Sequence, residues 1–140
     1  MKYWDSSSII PLLVEEDETK QKESLLREDP QIITWWGSRI ECASALNRLY
    51  REGSMDDESL QRTLSDLETF ASSWLEVQPV EKVRRRALRL LRLHQLRAAD
   101  ALQLAASLVA ADENPSAISF VSSDQRLTQA AGKEGFTVIT

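Results

Sequence analysis

The chain has 140 residues, of which 22 are Asp or Glu and 17 are Lys or Arg, so the formal net charge at pH 7 is -5. This length is typical of one domain, and a hydrophobic fraction of 42% beside a charged fraction of 28% excludes a disordered chain. The acidic balance argues against a protein that coats nucleic acid by bulk charge, but not against an enzyme that holds phosphate through a carboxylate-bound metal.

Neither a membrane span nor a secretory leader is predicted. The longest apolar run, residues 9–14, is interrupted by Pro11 and is far shorter than the roughly 20 residues that cross a bilayer. The first five residues lack the basic-then-apolar order of a leader, and the only cysteine, Cys42, excludes an internal disulfide. We therefore expect a cytoplasmic protein whose single domain spans residues 1–140.

Strands and helices are predicted to alternate along the chain. The strand signals are β-branched or aromatic runs, at residues 3–4, 32–36, 75–80, 118–121 and 136–139. Apolar residues recur at helical spacing at residues 9–14, 38–51, 56–74, 81–94, 98–111 and 125–133. The acidic residues 15–18, with Lys20 and Lys22 after them, predict a solvated helical face or loop. This alternation favours an α/β fold with a mostly parallel central sheet of about four or five strands and helices on both faces.

Two of the predicted strands end alike, with an aspartate beside serines. Residues 3–4 lead into Asp5 and Ser6, and residues 118–121 lead into Ser122, Ser123 and Asp124. The carboxyl ends of parallel strands lie at one edge of a sheet, where open α/β folds bind ligands. We therefore expect Asp5 and Asp124 to be neighbours.

Two further acids, Glu41 and Asp100, lie in the predicted first turns of helices. Topology alone does not bring them to the same edge, although a connection that crosses over first would. Structural explanations exist as well, because residues 38–41 match a capping box, and Asp100 and Asp124 each suit the positive end of a helix dipole. Asp5 is harder to explain in this way, since the serines after it could cap the following helix.

Carboxylates that converge raise one another's pKa, and a hard divalent cation removes that conflict. Mg²⁺ prefers oxygen ligands and is typically held by one or two carboxylates directly, with others acting through water. Such an ion lowers the pKa of a bound water and neutralises charge on a phosphate oxygen, which is the chemistry of metal-assisted phosphodiester hydrolysis.

Four segments carry a resemblance that extends over essentially the whole chain. They are WDSS at residues 4–7, SRIE at 38–41, LRAADALQLA at 96–105 and FVSSDQRL at 120–127. The segment around Asp100 is the most specific and the one around Glu41 the least. The chain resembles the PIN domain, and within it the VapC-type ribonuclease toxins of toxin–antitoxin pairs.

The resemblance implies a PIN-like three-layer sandwich and an endoribonuclease that depends on Mg²⁺, with Mn²⁺ as a substitute. It assigns the catalytic and metal-binding roles to four acids, Asp5, Glu41, Asp100 and Asp124, and it implies the chain crossing that gathers them. Ser6 and Ser123 would contact the metal shell or the substrate. Many relatives carry threonine at the position of Ser123, and the hydroxyl is kept. A small antitoxin that covers the acidic groove and a homodimer are also implied.

The predicted helix at residues 81–94 carries a basic stripe, which fits either a phosphate track or an ordinary solvated face. Its members are Lys82, Arg85, Arg86, Arg89 and Arg92. Arg97, three residues before Asp100, is close enough either to reach a scissile phosphate or to pair with the acids. We take Arg97 as a candidate substrate-binding residue.

Structural roles are predicted for three other features. His94 lies on an apolar helical face and is interpreted as a packed or hydrogen-bonded histidine, and Cys42 as a buried small hydrophobe. Residues 35–36, two tryptophans, are interpreted as packing or dimer contacts rather than as a platform for RNA bases.

The alternative function is a non-catalytic α/β binding or signalling domain with a Mg-binding acidic pocket. A domain that accepts a phosphoryl group on aspartate needs a lysine nearby, and neither Lys2 nor Lys133 is well placed for it. A haloacid-type phosphatase needs a second aspartate at the position of Ser7. The resemblance to the PIN domain, in contrast, implies RNA as the substrate.

Overall fold

A computed structural model describes all 140 residues, in five short strands and seven helices. The strands are β1 (Lys2–Trp4), β2 (Ile32–Trp35), β3 (Leu75–Val77), β4 (Ser119–Val121) and β5 (Thr137–Ile139). The helices are α1 (Ser6–Leu13), α2 (Thr19–Glu28), α3 (Ser38–Arg51), α4 (Asp57–Ala71), α5 (Glu81–Leu93), α6 (Ala98–Ala110) and α7 (Gln125–Lys133). None of them has both the length and the apolar character that spanning a bilayer requires.

The five strands form one parallel sheet in the order β3-β2-β1-β4-β5, which confirms the predicted fold class. From the central β1 the chain builds one half of the sheet through β2 and β3, and then crosses to build the other half through β4 and β5. The carboxyl ends of β1 and β4 therefore form a topological switch point. In open α/β sheets this is the place where ligands bind.

The sheet has a hydrophobic core on each face, because successive side chains of a strand point in opposite directions. Tyr3, Ile33 and Phe120 belong to the core that α5, α6 and α7 cover. The residues beside them in the chain, Trp4, Ile32 and Val121, belong to the other core, which α1, α3 and α4 cover. The result is a three-layer sandwich of helices, sheet and helices.

The first helix begins earlier than predicted. It starts at Ser6 rather than at residue 9, so Ser6, Ser7 and Ser8 make up its first turn. Asp5 occupies the N-cap position with an extended backbone, but its carboxylate accepts no capping hydrogen bond from the helix. Three hydroxyl groups are therefore placed directly at the carboxyl end of β1, beside the Asp5 side chain.

Lys22 is buried, whereas the sequence predicts a solvated segment around it. Its side chain is fully inaccessible, and its Nζ lies 3.3 Å from Glu18 Oε1 and 3.1 Å from Gln21 Oε1. An ammonium group removed from water requires such partners. Lys22 therefore anchors Glu18 at the start of α2.

Gly37 is required at the turn from β2 into α3. A Cβ atom on this residue would lie 2.8 Å from Cδ1 of Trp35, whose indole is buried and 7% exposed. We expect Gly37→Ala to lower the free energy of unfolding by about 1–3 kcal/mol, because the buried ring must move to accept the methyl group. Urea unfolding followed by tryptophan fluorescence measures this change.

Gly132→Ala is the matched control for that variant. Gly132 is exposed in α7, and no heavy atom lies within 4 Å of a Cβ built on it. The substitution should raise the free energy of unfolding by about 0.5–1 kcal/mol, since alanine is the better helix former. Equal effects of the two substitutions would contradict the role given to Gly37.

Candidate active site

Asp5 and Asp124 lie together at the switch point between β1 and β4. The backbone N–H of Asp5 donates to the carbonyl oxygen of Val121 at 3.0 Å, which extends the pairing of the two strands by one residue. The Asp5 carboxylate is 4% exposed and accepts hydrogen bonds from the hydroxyls of Ser7 and Ser122. Ser122 Oγ in turn accepts the backbone N–H of Asp124 at 3.0 Å. One serine therefore connects the two aspartates.

Burial raises the pKa of Asp5, the hydrogen bonds from Ser7 and Ser122 lower it, and the charge of Asp124 raises it again. The serine hydroxyls therefore offset part of the cost of burying this carboxylate. Asp124 itself accepts the backbone N–H of Leu127 at 3.0 Å and caps α7. One of its oxygen atoms thus positions a helix at the site.

Glu41 reaches the same edge of the sheet without a crossover, because α3 begins directly after the carboxyl end of β2. The predicted capping box is not formed. The N-cap residue is Gly37, and the Ser38 hydroxyl instead shares a 2.6 Å hydrogen bond with Thr34 Oγ1. The Glu41 side chain therefore makes no capping hydrogen bond to the start of α3 and extends into the site.

Ser6 joins Glu41 to Asp5. Its hydroxyl lies 3.3 Å from Glu41 Oε2 and 3.4 Å from Asp5 Oδ1. Burial raises the pKa of Glu41 to about 7, hydrogen bonds from Gln103 and Ser6 lower it, and the charges of Asp5 and Asp100 raise it. Three of the four acids therefore share one electrostatic environment.

Gln103 donates hydrogen bonds to Glu41, and this role was not predicted from the sequence. Its Nε2 donates to Glu41 Oε1 at 3.0 Å and to Ser38 Oγ at 2.9 Å, while its Oε1 accepts the Tyr3 hydroxyl at 2.6 Å. The available signal was an amide in an apolar helix, three residues after Asp100 and so on the same helical face. Gln103 is 1% exposed, and it connects the acid site to the core.

The connection from α5 to α6 brings Asp100 to this edge. The chain passes the C-terminal end of α7 at His94, whose Nε2 lies 2.6 Å from Glu134 Oε2. Residues 94–97 then run beside α7 to its first turn, with extended backbone at both ends of the segment. Asp100 consequently lines a cavity of about 500 Å³ together with Asp124. This connection is the crossing that topology left open.

Asp100 is the third of the four site acids whose pKa is raised. Burial raises the pKa most, and the charge of Asp124 raises it further. Arg97, through its backbone N–H and its charge, and Arg126, through its charge, lower the pKa. Arg97 forms no ion pair, since no carboxylate oxygen lies within 4 Å of its guanidinium nitrogens. It lines the cavity of Asp100 and Asp124 as an exposed cation.

Ser123 has partners other than the four acids. Its hydroxyl donates to Glu18 Oε1 at 2.9 Å and lies 3.4 Å from Ser8 Oγ. Because Lys22 holds Glu18, this contact joins the start of α2 to the loop between β4 and α7. Ser123 is exposed at the rim of the site.

The four carboxylates are gathered at one edge, but they do not form a closed cage. No group of three or more His, Cys, Asp or Glu side chains is close enough to hold a metal ion by itself. Asp100 and Asp124 line one cavity, Glu41 lines another, and Asp5 connects them through Ser6 and Ser122. An oxygen-only donor set in which the pKa values of Asp5, Glu41 and Asp100 are raised fits a hard divalent cation that keeps several waters and takes one or two carboxylates directly.

The basic stripe of α5 lies away from this edge. Four of its members line a shallow cavity of about 230 Å³ with Glu113, and they are Lys82, Arg85, Arg86 and Arg89. Glu113 follows the C-terminal end of α6, whereas Asp100 is in the first turn of that helix. Arg86 forms an ion pair with Glu113. The stripe is therefore a separate surface.

The structural roles of His94 and Cys42 are confirmed. His94 is largely buried and hydrogen-bonded to Glu134, and Cys42 is fully buried in the core beneath α3. Trp35 is packed in the opposite core. Trp36 is 46% exposed, and its ring meets that of Trp35 edge to face with centroids 6.5 Å apart.

Solved structures share this fold at low sequence identity. A toxin–antitoxin complex from Klebsiella pneumoniae matches with a TM-score of 0.66 and 15% identity, over 100% of this chain and 97% of that chain. FitAcB from Neisseria gonorrhoeae matches with a TM-score of 0.70 and 14% identity over the same shares. PAE2754 from Pyrobaculum aerophilum matches with a TM-score of 0.62 and 20% identity, over 99% of this chain and 83% of that chain.

Family membership follows from the sequence itself. None of the curated proteins compared with this chain matches it. The family model of the PIN domain matches residues 2–133, which include all four acids. The chain belongs to the PIN-domain family.

Proposed function

We propose that this protein is a metal-dependent endoribonuclease, with one nuclease domain over residues 1–140, that acts as the toxin of a toxin–antitoxin pair. The observation that carries the proposal is the collection of four carboxylates at the switch point of the sheet, from Asp5, Glu41, Asp100 and Asp124. Membership of the PIN-domain family, whose members are generally nucleases, supports the reaction class. The fold shared with a toxin–antitoxin complex supports the biological role.

The four acids are the residues to which we assign a divalent cation, Mg²⁺ with Mn²⁺ as a substitute. Both ions prefer oxygen ligands, and the site offers carboxylates without histidine or thiolate. Hydrolysis of a phosphodiester needs a water of lowered pKa and a neutralised phosphate oxygen, which a bound divalent cation supplies.

The surrounding side chains keep the carboxylates in place before a substrate arrives. Ser7 and Ser122 donate to Asp5, and Ser6 and Gln103 donate to Glu41. Donors fixed in this way reduce the reorganisation that the reaction would otherwise require. Ser6 thus acts as a positioning residue between two acids.

Exposed residues at the rim are assigned to the RNA substrate. Arg97 is exposed and lines the cavity of Asp100 and Asp124, and Ser123 is exposed directly before Asp124 in the chain. A guanidinium can donate two parallel hydrogen bonds to a phosphate. The one O–H of Ser123 would exchange Glu18 for a phosphate oxygen as its acceptor. These two residues therefore suit an RNA backbone that passes over the acids.

We propose two protein partners, a small antitoxin and a second copy of this chain, in the cytoplasm. A basic side chain of the antitoxin would pair with Asp100 and Asp124 and close their cavity. For the homodimer, Trp36 and Ile40 offer an apolar surface beside the site, with exposed fractions of 46% and 62%. Aromatic and aliphatic residues exposed together are typical of contact surfaces.

Asp5→Asn and Asp100→Asn should each reduce RNA cleavage about 100-fold or more, because each removes a negative charge that holds the cation. The assay incubates antitoxin-free protein with a mixed RNA pool, with Mg²⁺ or with EDTA, and follows the fragments by electrophoresis. Asp66→Asn, an exposed aspartate of α4, is the control and should keep full activity. Cleavage that survives in both site variants, or in EDTA, would show that these acids are not the reaction centre.

The raised pKa of Glu41, about 7 against an ordinary 4.5, predicts a pH dependence of stability. The folded state holds a proton that the unfolded state has lost, so the metal-free protein should lose stability between pH 4.5 and 7 and change little above. Glu41→Gln should remove most of this loss and raise the free energy of unfolding at pH 8 by about 1–3 kcal/mol. Urea unfolding in EDTA, repeated across this pH range, measures the free energy of unfolding of both proteins.

Glu23→Gln, an exposed glutamate of α2, is the control for the pH experiment. It should leave the pH profile as in the wild type. Mg²⁺ added at pH 8 should stabilise the wild type more than Glu41→Gln, since a ligand of the folded state adds stability in proportion to its binding. Identical pH profiles of wild type and Glu41→Gln would refute the assigned burial of this charge.

Ile40→Glu should convert the homodimer to a monomer, because it places a charge in the proposed apolar contact. Light scattering after size exclusion measures the mass. Leu88→Glu is the control, since Leu88 is 58% exposed on α5 and lies outside this surface. A dimer that resists Ile40→Glu and dissociates with Leu88→Glu would move the interface to α5.

A further inference from the structure

Three arginines line the two cavities that flank the buried Asp5, and none of them is neutralised by an ion pair. Arg48 lines one cavity, and Arg97 and Arg126 line the other. No carboxylate oxygen lies within 4 Å of any of their guanidinium nitrogens. All three side chains are exposed.

Arg48 is placed by the helix that carries Glu41. The spacing of Glu41, Ala45 and Arg48 puts all three on one face of α3, and all three line a cavity of about 310 Å³. The small side chain of Ala45 leaves room between the acid and the base. Ser6 and Glu16 complete the wall on the side of α1.

Arg97 and Arg126 stand on the opposite side of the acids. Arg97 precedes α6, Arg126 is in the first turn of α7, and both line the cavity that contains Asp100 and Asp124. Their charges act on Asp100, although neither side chain pairs with it. Free guanidinium groups therefore occur on both sides of Asp5.

This arrangement solves a problem that the acids create. A cluster of carboxylates repels the phosphates of a polyanion, and a cation at the acids compensates only for the phosphate that reacts. The phosphates before and after it require their own positive charges. Arginine suits this task because its planar fork binds phosphate oxygens bidentately and stays charged at every relevant pH.

We propose that Arg48 on one side, and Arg126 with Arg97 on the other, bind the two phosphates that flank the scissile phosphate of a single-stranded RNA. The identity of the polyanion rests on the proposed function. Asp5 is only 4% exposed, so the backbone must bend into the edge to bring a phosphate near it. Unpaired RNA can bend in this way, and proteins commonly recognise RNA in single-stranded segments.

The test measures RNA binding separately from cleavage. A fluorescent single-stranded oligoribonucleotide is titrated with the full chain in EDTA, and anisotropy gives Kd at several salt concentrations. Arg48→Ala and Arg126→Ala should each raise Kd about 5- to 10-fold and reduce the slope of log Kd against log salt by about 0.7, the value for one phosphate contact on a single strand. Arg48→Lys should keep the slope and recover part of the affinity, because it restores the charge without the fork.

Arg51→Ala is the matched control, since Arg51 is exposed one turn further along α3 and lines neither cavity. It should change neither Kd nor the slope. Thermal unfolding of each variant verifies the fold. The inference is overturned if Arg48→Ala binds like the wild type, if Arg51→Ala weakens binding as much, or if the wild type does not bind the oligonucleotide.

A parallel cleavage assay in Mg²⁺ separates this inference from the proposed function. Arg48→Ala should raise KM about 5- to 10-fold and leave kcat within about twofold of the wild type, as expected for a residue that binds without reacting. A wild type that cleaves RNA with the same KM as Arg48→Ala refutes the inference alone. A wild type that binds through these arginines and never cleaves refutes the nuclease alone.

Discussion

Mutual repulsion among carboxylates gathered at one edge of the sheet is the constraint on which the rest of the site depends. Asp5 is held nearly out of water beside a second aspartate, which is unfavourable unless the charge is hydrogen-bonded. Serine hydroxyls from α1 and from the end of β4 meet that requirement. The polar residues buried between the two hydrophobic cores are therefore there for electrostatic reasons, and the parallel pairing of β1 with β4 determines where they must be.

The strand-end part of the site could be predicted because it follows from local pattern and parallel pairing. Asp5 and Asp124 each come directly after a buried strand, and two neighbouring parallel strands leave no other edge for them. Asp100 is different. Its position depends on residues 94–97, an extended connection whose path is decided by packing against α7 rather than by any periodic signal. For this residue only the resemblance to a family indicated where it belongs.

Local rules failed where a tertiary contact offered a better partner. Ser38 could have capped α3, but its hydroxyl is taken by Thr34 and Gln103, so Glu41 is released into the site. The sequence around Lys22 has the composition of a solvated segment. The packing of α2 nevertheless removes Lys22 from water, and its ammonium group contacts Glu18 and Gln21. The contacts of Ser38 join residues from different elements, and the burial of Lys22 depends on how α2 packs against the rest of the protein. A pattern within one helix carries no information about either.

Gln103 gives the buried network a fixed polarity. Its carbonyl oxygen accepts from Tyr3, and its amide nitrogen donates to Glu41, so every hydrogen bond in this path points from the core towards the acid. An amide does not ionise, and burial together with the nearby acids raises the pKa of Tyr3, so the direction persists across the working pH range. The path from Tyr3 through Gln103 to Glu41 is therefore an oriented chain of dipoles, and the carboxylate of Glu41 is stabilised through this amide by a tyrosine of the central strand.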